Sequence, residues 1–212
     1  MRTPRRFRAA RLLLRWILGR LFQVELVGLA NVGGGPYLLS CNHLSWVDPF
    51  LLLAWLPVAP RVHMLGSRKA IYNRRFKRWV LDFMGGVIPV DHGQPDKIGE
   101  AVAFVLEAGG AVALFPEGGI GPIEGQLLPL RHGIVHFAQN GRFPTLPAGI
   151  SGSRDLWRGK PIRIAVGPPL ALDSHDLAAS VARLEVAMRE LLPGYQDPPG
   201  PRRWRWLTHL LR

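Results

Sequence analysis

The sequence predicts a single α/β domain, a mixed and largely parallel sheet flanked by helices, with an amphipathic segment at each end. Three observations carry this. Short apolar runs alternate with helical stretches from Val24 to Leu192, and glycine stops such as Gly33-Gly34-Gly35 and Gly109-Gly110 separate them. The 212 residues, 48% of them hydrophobic, suffice for one sizeable core. Both ends concentrate arginine beside leucine and tryptophan, which divides the chain into a basic helix over 1–22, a main domain over 23–192, and a linker with a basic aromatic tail over 193–212.

The N-terminal segment sets Arg5, Arg6, Arg8, Arg11, Arg15 and Arg20 against Phe7, Leu12, Leu13, Leu14, Trp16, Ile17, Leu18, Leu21 and Phe22. Arg15 breaks the apolar run, so it is too short to span a bilayer, and no small-residue cleavage site follows. Two readings remain: an interfacial helix with arginines at the headgroups, or a helix packed on the core. The arginine density favours the membrane.

A strand from Val24 to Val27 leads through the loop Gly28 to Pro36 into a short buried strand, Tyr37-Leu38-Leu39. Asp48-Pro49 opens a helix through Leu56, and Arg61 to Leu65 is the next strand. Ser67 to Trp79 is the densest cationic stretch, suited to a solvated helix face, a phosphate or an acidic carrier surface. Gly86 to Val90 is a strand whose Pro89 places it at an edge, and a helix from Pro95 to Ala108 follows. The strand Ala111 to Phe115 runs into Pro116-Glu117-Gly118-Gly119, where glycines let backbone approach a ligand or simply make a turn. After Leu128-Pro129-Leu130-Arg131-His132-Gly133 come a helix from Ile134 to Asn140, strands at Thr145–Ile150 and Ile162–Val166, and an amphipathic helix over Ser174–Leu192.

Charge and cysteine usage narrow the chemistry. A net charge of +12 asks for an anionic partner: phospholipid, an acidic carrier or nucleic acid. The tail Pro201 to Arg212 alternates tryptophan and arginine beside leucines, which suits a headgroup region; RNA competes, but no recognisable nucleic-acid module accompanies the basic residues. The single cysteine excludes an internal disulfide framework, and no clustered Cys/His set suggests a metal. We expect neither metal nor cofactor.

The candidate chemistry starts at Ser40-Cys41-Asn42-His43-Leu44-Ser45-Trp46-Val47-Asp48. A separation of five is about 500° on an ideal helix, so the histidine and aspartate cannot meet along one. Across a strand-to-helix turn they can. Asp48 would then hold the proton of one imidazole nitrogen and leave the other free to take a proton from a hydroxyl. Plainer readings stand beside this: Asp48 as an N-cap and His43 as a hydrogen-bonded core residue. Cys41, two before His43, would share its face in an extended segment, making a Cys/His nucleophilic pair a further alternative.

Asn42-His43 with Asp48, followed some seventy residues later by Phe115-Pro116-Glu117-Gly118, resembles the PlsC-like glycerolipid acyltransferases, the family of lysophosphatidate acyltransferases. The likeness runs from Val24 to Val166, with Leu26 to Asn31 similar to the family's lead-in, Lys69 in its basic segment, Gly86 to Asp91 in its second block and Leu146-Pro147-Ala148-Gly149-Ile150 in its fourth. It implies a glycerol-3-phosphate acyltransferase-like fold and an O-acyltransferase in phospholipid biosynthesis. His43 would be the general base, Asp48 its orienter, and Asn42, Glu117 and Gly118 part of the acceptor site. The donor would be an acyl-CoA or acyl carrier protein thioester, the acceptor a lysophospholipid, chiefly 1-acyl-glycerol-3-phosphate.

Two positions depart from the family pattern. Gly119-Ile120 stand where Thr and Arg usually follow the Glu-Gly, and His92 stands where the second block usually ends in arginine. Arg68, Lys69 or Arg131 would compensate by reaching the same phosphate, or else the acceptor is a lyso-lipid without phosphate. A basic membrane-binding family member without catalysis is the other class. A serine hydrolase is disfavoured, because Gly149-Ile150-Ser151-Gly152-Ser153 lacks the final glycine of a nucleophile elbow. The expected location is peripheral, on the cytoplasmic side of the cell membrane.

Overall fold

The computed structural model describes residues 4–67, 86–90, 95–192 and 194–209. Ser67 is thus the only described residue of the cationic stretch; Arg68 and Lys69, like Asp91 and His92, lie outside the described residues. In chain order the elements are α1 (Arg5–Leu21), β1 (Phe22–Val27), β2 (Leu38–Cys41), α2 (Asp48–Trp55), β3 (Val62–Ser67), β4 (Val87–Val90), α3 (Pro95–Glu107), β5 (Ala111–Leu114), α4 (Gly133–Phe137), β6 (Thr145–Ser151), β7 (Lys160–Val166) and α5 (Leu177–Glu190). Short 3₁₀ turns sit at Leu29–Asn31, Ser174–Asp176 and Arg205–His209.

Among the described residues seven strands form one sheet, in the order β1-β7-β6-β2-β5-β3-β4. It is mixed and largely parallel, as expected: β6 and β7 pair antiparallel, while β1–β7, β2–β6, β2–β5, β5–β3 and β3–β4 are parallel. Pro89 falls on an edge strand among the described residues, since β4 ends their order, and an edge strand tolerates the missing donor.

Side-chain alternation splits the core into two layers. Leu39 and Cys41 of β2, Ala111 and Ala113 of β5, and Leu146, Ala148 and Ile150 of β6 face one layer, with Phe7 and Leu18 of α1 and Leu51 and Leu52 of α2. Leu38, Val112 and Leu114 face the other, against Val102 and Leu106 of α3, Ile134 and Val135 of α4, and Leu184 and Met188 of α5.

α1 packs one face on the core, as the second reading expected, and leaves another face open to solvent. Phe7 and Leu18 are buried, each contributing about 1.5–3 kcal/mol by area. Arg11 bridges to α2, donating from Nε to the Leu53 carbonyl at 3.2 Å and from Nη2 to that of Leu56 at 2.6 Å, where the helix leaves its last carbonyls open. Leu12, Leu13, Trp16 and Ile17 remain exposed. The C-terminal segment is likewise fastened down. Lys160, almost fully buried, pairs with Asp197 and lies 3.7 Å from the centroid of the Trp157 ring; Thr208 takes the Leu156 N–H at 2.9 Å; Leu207 joins the α1 layer. Trp204 and Trp206 stay exposed.

Candidate active site

Parallel pairing of β2 with β5, with Ser40 opposite Leu114, brings the carboxyl ends of two central strands side by side. The residues that follow them, 42–48 and 115–118, therefore meet, although 74 positions separate His43 from Glu117. Open α/β sheets place ligands at such strand ends.

Asn42 is fully buried and anchors the turn to β6: its Nδ2 donates to the Ile150 carbonyl at 3.0 Å and its Oδ1 accepts the Ile150 N–H at 2.7 Å. His43 Nδ1 lies 3.0 Å from Asp48 Oδ2, across the strand-to-helix turn as the spacing required. The same oxygen accepts the N–H groups of Leu44 and Ser45, each at 2.7 Å. Asp48 thus points back into the turn instead of capping α2, and the N-cap expectation is corrected: Val47 holds that position, without a side-chain cap. The imidazole stacks on Phe115, centroids 4.1 Å apart and planes 14° from parallel, which leaves only in-plane contacts for its nitrogens.

Glu117 braces the site from the β5 side. Oε1 accepts the His43 N–H at 2.8 Å and Oε2 that of Leu128 at 3.0 Å. Burial raises its pKa above the usual carboxylate range, and the two backbone donors pull the other way. Gly118 adopts a left-handed φ of +71°, and a Cβ there would fall 2.3 Å from Arg131 Nε, so the guanidinium lies directly against the glycine. The following loop returns to the histidine, with the Gly121 N–H donating to the His43 carbonyl at 2.6 Å.

Cys41 is not part of this cluster. β2 ends there, so the alternation that would have put it on the face of His43 stops; the thiol is fully buried, and burial pushes its pKa well up. Ser151 and Ser153 are buried too.

A cavity of about 560 Å³ opens beside His43. Trp46, Phe50, Leu53, Met64, Leu65, Ile98, Ile134 and Phe137 give it apolar walls, and Arg131 and Arg154 are its cations among the described residues. Of the sequence-predicted site residues, the fold brings together Asn42, His43, Asp48, Glu117, Gly118 and Arg131. Arg154 and Thr208 also line the cavity, and sequence reasoning missed both. No motif marks them; they arrive on the β6–β7 connection and on the tail that Leu156 holds.

Residues 23–151 match the family described as Acyltransferase, more than half of the chain. The chain belongs to the Acyltransferase family. It is 28% identical over 160 residues to a 1-acyl-sn-glycerol-3-phosphate acyltransferase of Cocos nucifera, covering 74% of this chain and 49% of that one. It is also 28% identical over 163 residues to the protein of that name from Bacillus subtilis (strain 168), covering 74% and 77%. The chain thus spans about half the length of the Cocos relative. The crystal structure of the 1-acyl-sn-glycerophosphate (LPA) acyltransferase PlsC from Thermotoga maritima superposes with a TM-score of 0.71 at 16% identity, covering 91% of this chain and 81% of that one. That likeness places this Acyltransferase-family chain in the PlsC fold.

Proposed function

We propose that this protein transfers a fatty acyl group from a thioester, acyl-CoA or acyl carrier protein, to the free hydroxyl of 1-acyl-glycerol-3-phosphate. The observation that carries the reading is the His43–Asp48 pair at 3.0 Å, opening on an apolar cavity. With Nδ1 held by the carboxylate, Nε2 has no partner among the described residues and takes the acceptor's hydroxyl proton. The oxygen forms its bond to the thioester carbonyl carbon, the C–S bond breaks, and the departing thiolate takes the proton back from His43. No acyl-enzyme forms. A positioned base contributes about 10² to 10⁴ in rate, and holding both substrates together supplies much of the remainder.

The cavity's apolar walls suit an acyl chain, and Arg131 against Gly118 offers a cation to the acceptor headgroup beside the Asn42–Glu117 scaffold. The exposed apolar residues of α1 and of the tail support peripheral attachment to a membrane surface, which on this reading is the anionic cytoplasmic side. A basic binder without catalysis would have no use for a carboxylate buried solely around a histidine turn, which disfavours that class.

The test is thioester consumption by purified protein across lysophosphatidate, other lysophospholipids and monoacylglycerol, with products identified by mass. Diacylated phosphatidate is expected with wild type and none above background with His43→Ala. Full turnover in the His43→Ala protein overturns the mechanism.

A further inference from the structure

The Acyltransferase-family arginine that usually follows the Glu-Gly is Ile120 here, so the acceptor phosphate needs another cation. We infer that Arg154, on the β6–β7 connection, is a specificity residue for that phosphate, acting with Arg131. This rests on the proposed acyl transfer to a phosphate-bearing lyso-lipid.

The connection is built to hold Arg154 in place. β6 ends at Ser151, and Gly152 turns the chain at φ +87°, where an added Cβ would sit 2.3 Å from the Pro161 carbonyl oxygen. Glu124 reaches across from the loop after Gly118 and accepts the N–H groups of Gly152 at 2.8 Å and Arg154 at 3.3 Å. The Arg154 side chain answers in the other direction: its Nε donates to the Pro122 carbonyl at 2.8 Å. The loop that would have carried the family arginine is therefore tied at both ends of a short span to the residue that replaces it.

What Nε does not use is the other half of the argument. The terminal nitrogens of Arg154 meet no carboxylate among the described residues, and the side chain lines the same cavity as His43 and Arg131. Arg131 likewise has no ion-pair partner there; its described polar contact is its own N–H to the Pro116 carbonyl at 2.9 Å. A guanidinium presents its donors as a planar fork matched to phosphate oxygens. Two such forks bordering a cavity with largely apolar walls leave a dianionic headgroup as the complementary ligand, with the acyl chain on the apolar side.

The experiment compares Arg154→Ala and Arg154→Lys with wild type on lysophosphatidate and on monoacylglycerol, and measures lysophosphatidate binding to each protein in the absence of thioester. The inference expects Arg154→Ala to raise the lysophosphatidate KM and Kd by roughly 10- to 100-fold, the span of one charge-assisted contact. The kcat, the thioester KM and the monoacylglycerol KM should stay within about threefold, and lysine should recover part of the loss. A purely structural tie to Pro122 would damage both acceptors alike, and that result overturns the inference, as does an unchanged lysophosphatidate Kd. If wild type shows no turnover with any lyso-lipid the proposed activity falls; a Kd weakened only in the Arg154 variants would still uphold the phosphate site.

Discussion

Glu117 Oε1 accepts the backbone N–H of His43 at 2.8 Å, so the carboxylate that closes one strand end fixes the main chain at the other. Glu117→Gln keeps the shape but turns an amide NH₂ toward one of two N–H donors, His43 or Leu128, whichever way it rotates. One buried donor is left unpaired, at about 1–3 kcal/mol. The expected outcome is a stability loss of that size with kcat reduced about tenfold or more, and a thioester KM near wild type, because the base is displaced and the cavity is not. Denaturant unfolding and steady-state kinetics on the same preparation check it.

The pH dependence of stability follows from the same burial. Glu117 and Glu124 both have raised pKa values, so the folded state holds their protons more tightly than the unfolded state does. Their stabilising contribution is present below the ordinary carboxylate value and is lost as pH rises through the raised ones. The difference in unfolding free energy between wild type and a Glu117→Gln/Glu124→Gln double variant should therefore shrink as pH rises above the ordinary carboxylate value of 4.5. A difference that grows with pH contradicts the assignment.

Asp48→Asn isolates orientation from fold. One carboxylate oxygen serves His43, Leu44 and Ser45 together, and an asparagine oxygen in its place can still take both backbone donors. What it loses is the charge that stabilises the protonated imidazole. We expect kcat to fall by about 10² or more with only a small change in melting temperature. A variant that retains most of its turnover would leave His43 without an orienter.

Much of this was legible because local pattern and site geometry agree. The β2 strand, the turn and Pro49 at the start of α2 follow from period and proline chemistry, and a spacing of five across such a turn allows the contact seen, although it equally allowed Asp48 to cap the helix. Strand order was not legible: nothing local says that β7 inserts between β1 and β6, or that β5 lies beside β2, since pairing is a long-range choice. The Cys41 alternative failed because alternation was carried to His43, two residues past the end of β2. Arg154 was invisible for a related reason, its place being set by Glu124 and Pro122 from a distant loop.

Gly118→Ala tests the coupling of backbone to Arg131. The left-handed φ alone costs a residue with a Cβ about 1–2 kcal/mol, and the methyl would displace the guanidinium lying 2.3–2.7 Å from it. The expected result is reduced thermal stability together with a raised lysophosphatidate KM. Serine at this position should behave the same way. Unchanged acceptor kinetics would remove Arg131 from the acceptor site.

A test of the proposed membrane attachment needs point substitutions, because α1 and the tail each present one face to the core and another to solvent. Deleting α1 removes Phe7, Leu18 and the Arg11 bridge to α2, and deleting the tail removes Leu207 and Thr208, so lost pelleting would report unfolding as readily as lost binding. The outward residues can be changed alone: Leu12, Leu13 and Trp16 are 64%, 59% and 59% exposed, and Trp204 and Trp206 are 46% and 55% exposed. Leu13→Glu with Trp16→Glu should weaken sedimentation with anionic liposomes, and adding Trp204→Glu with Trp206→Glu should weaken it further. Each change removes apolar insertion and adds repulsion, while thioester consumption with a soluble short-chain acceptor stays near wild type. Binding by the wild type should also fall in high salt, where the screening length contracts to about 3 Å at 1 M and the arginines, each contributing about 1 kcal/mol near an anionic surface, lose their reach. Full pelleting by the fourfold variant would move the attachment surface away from both ends.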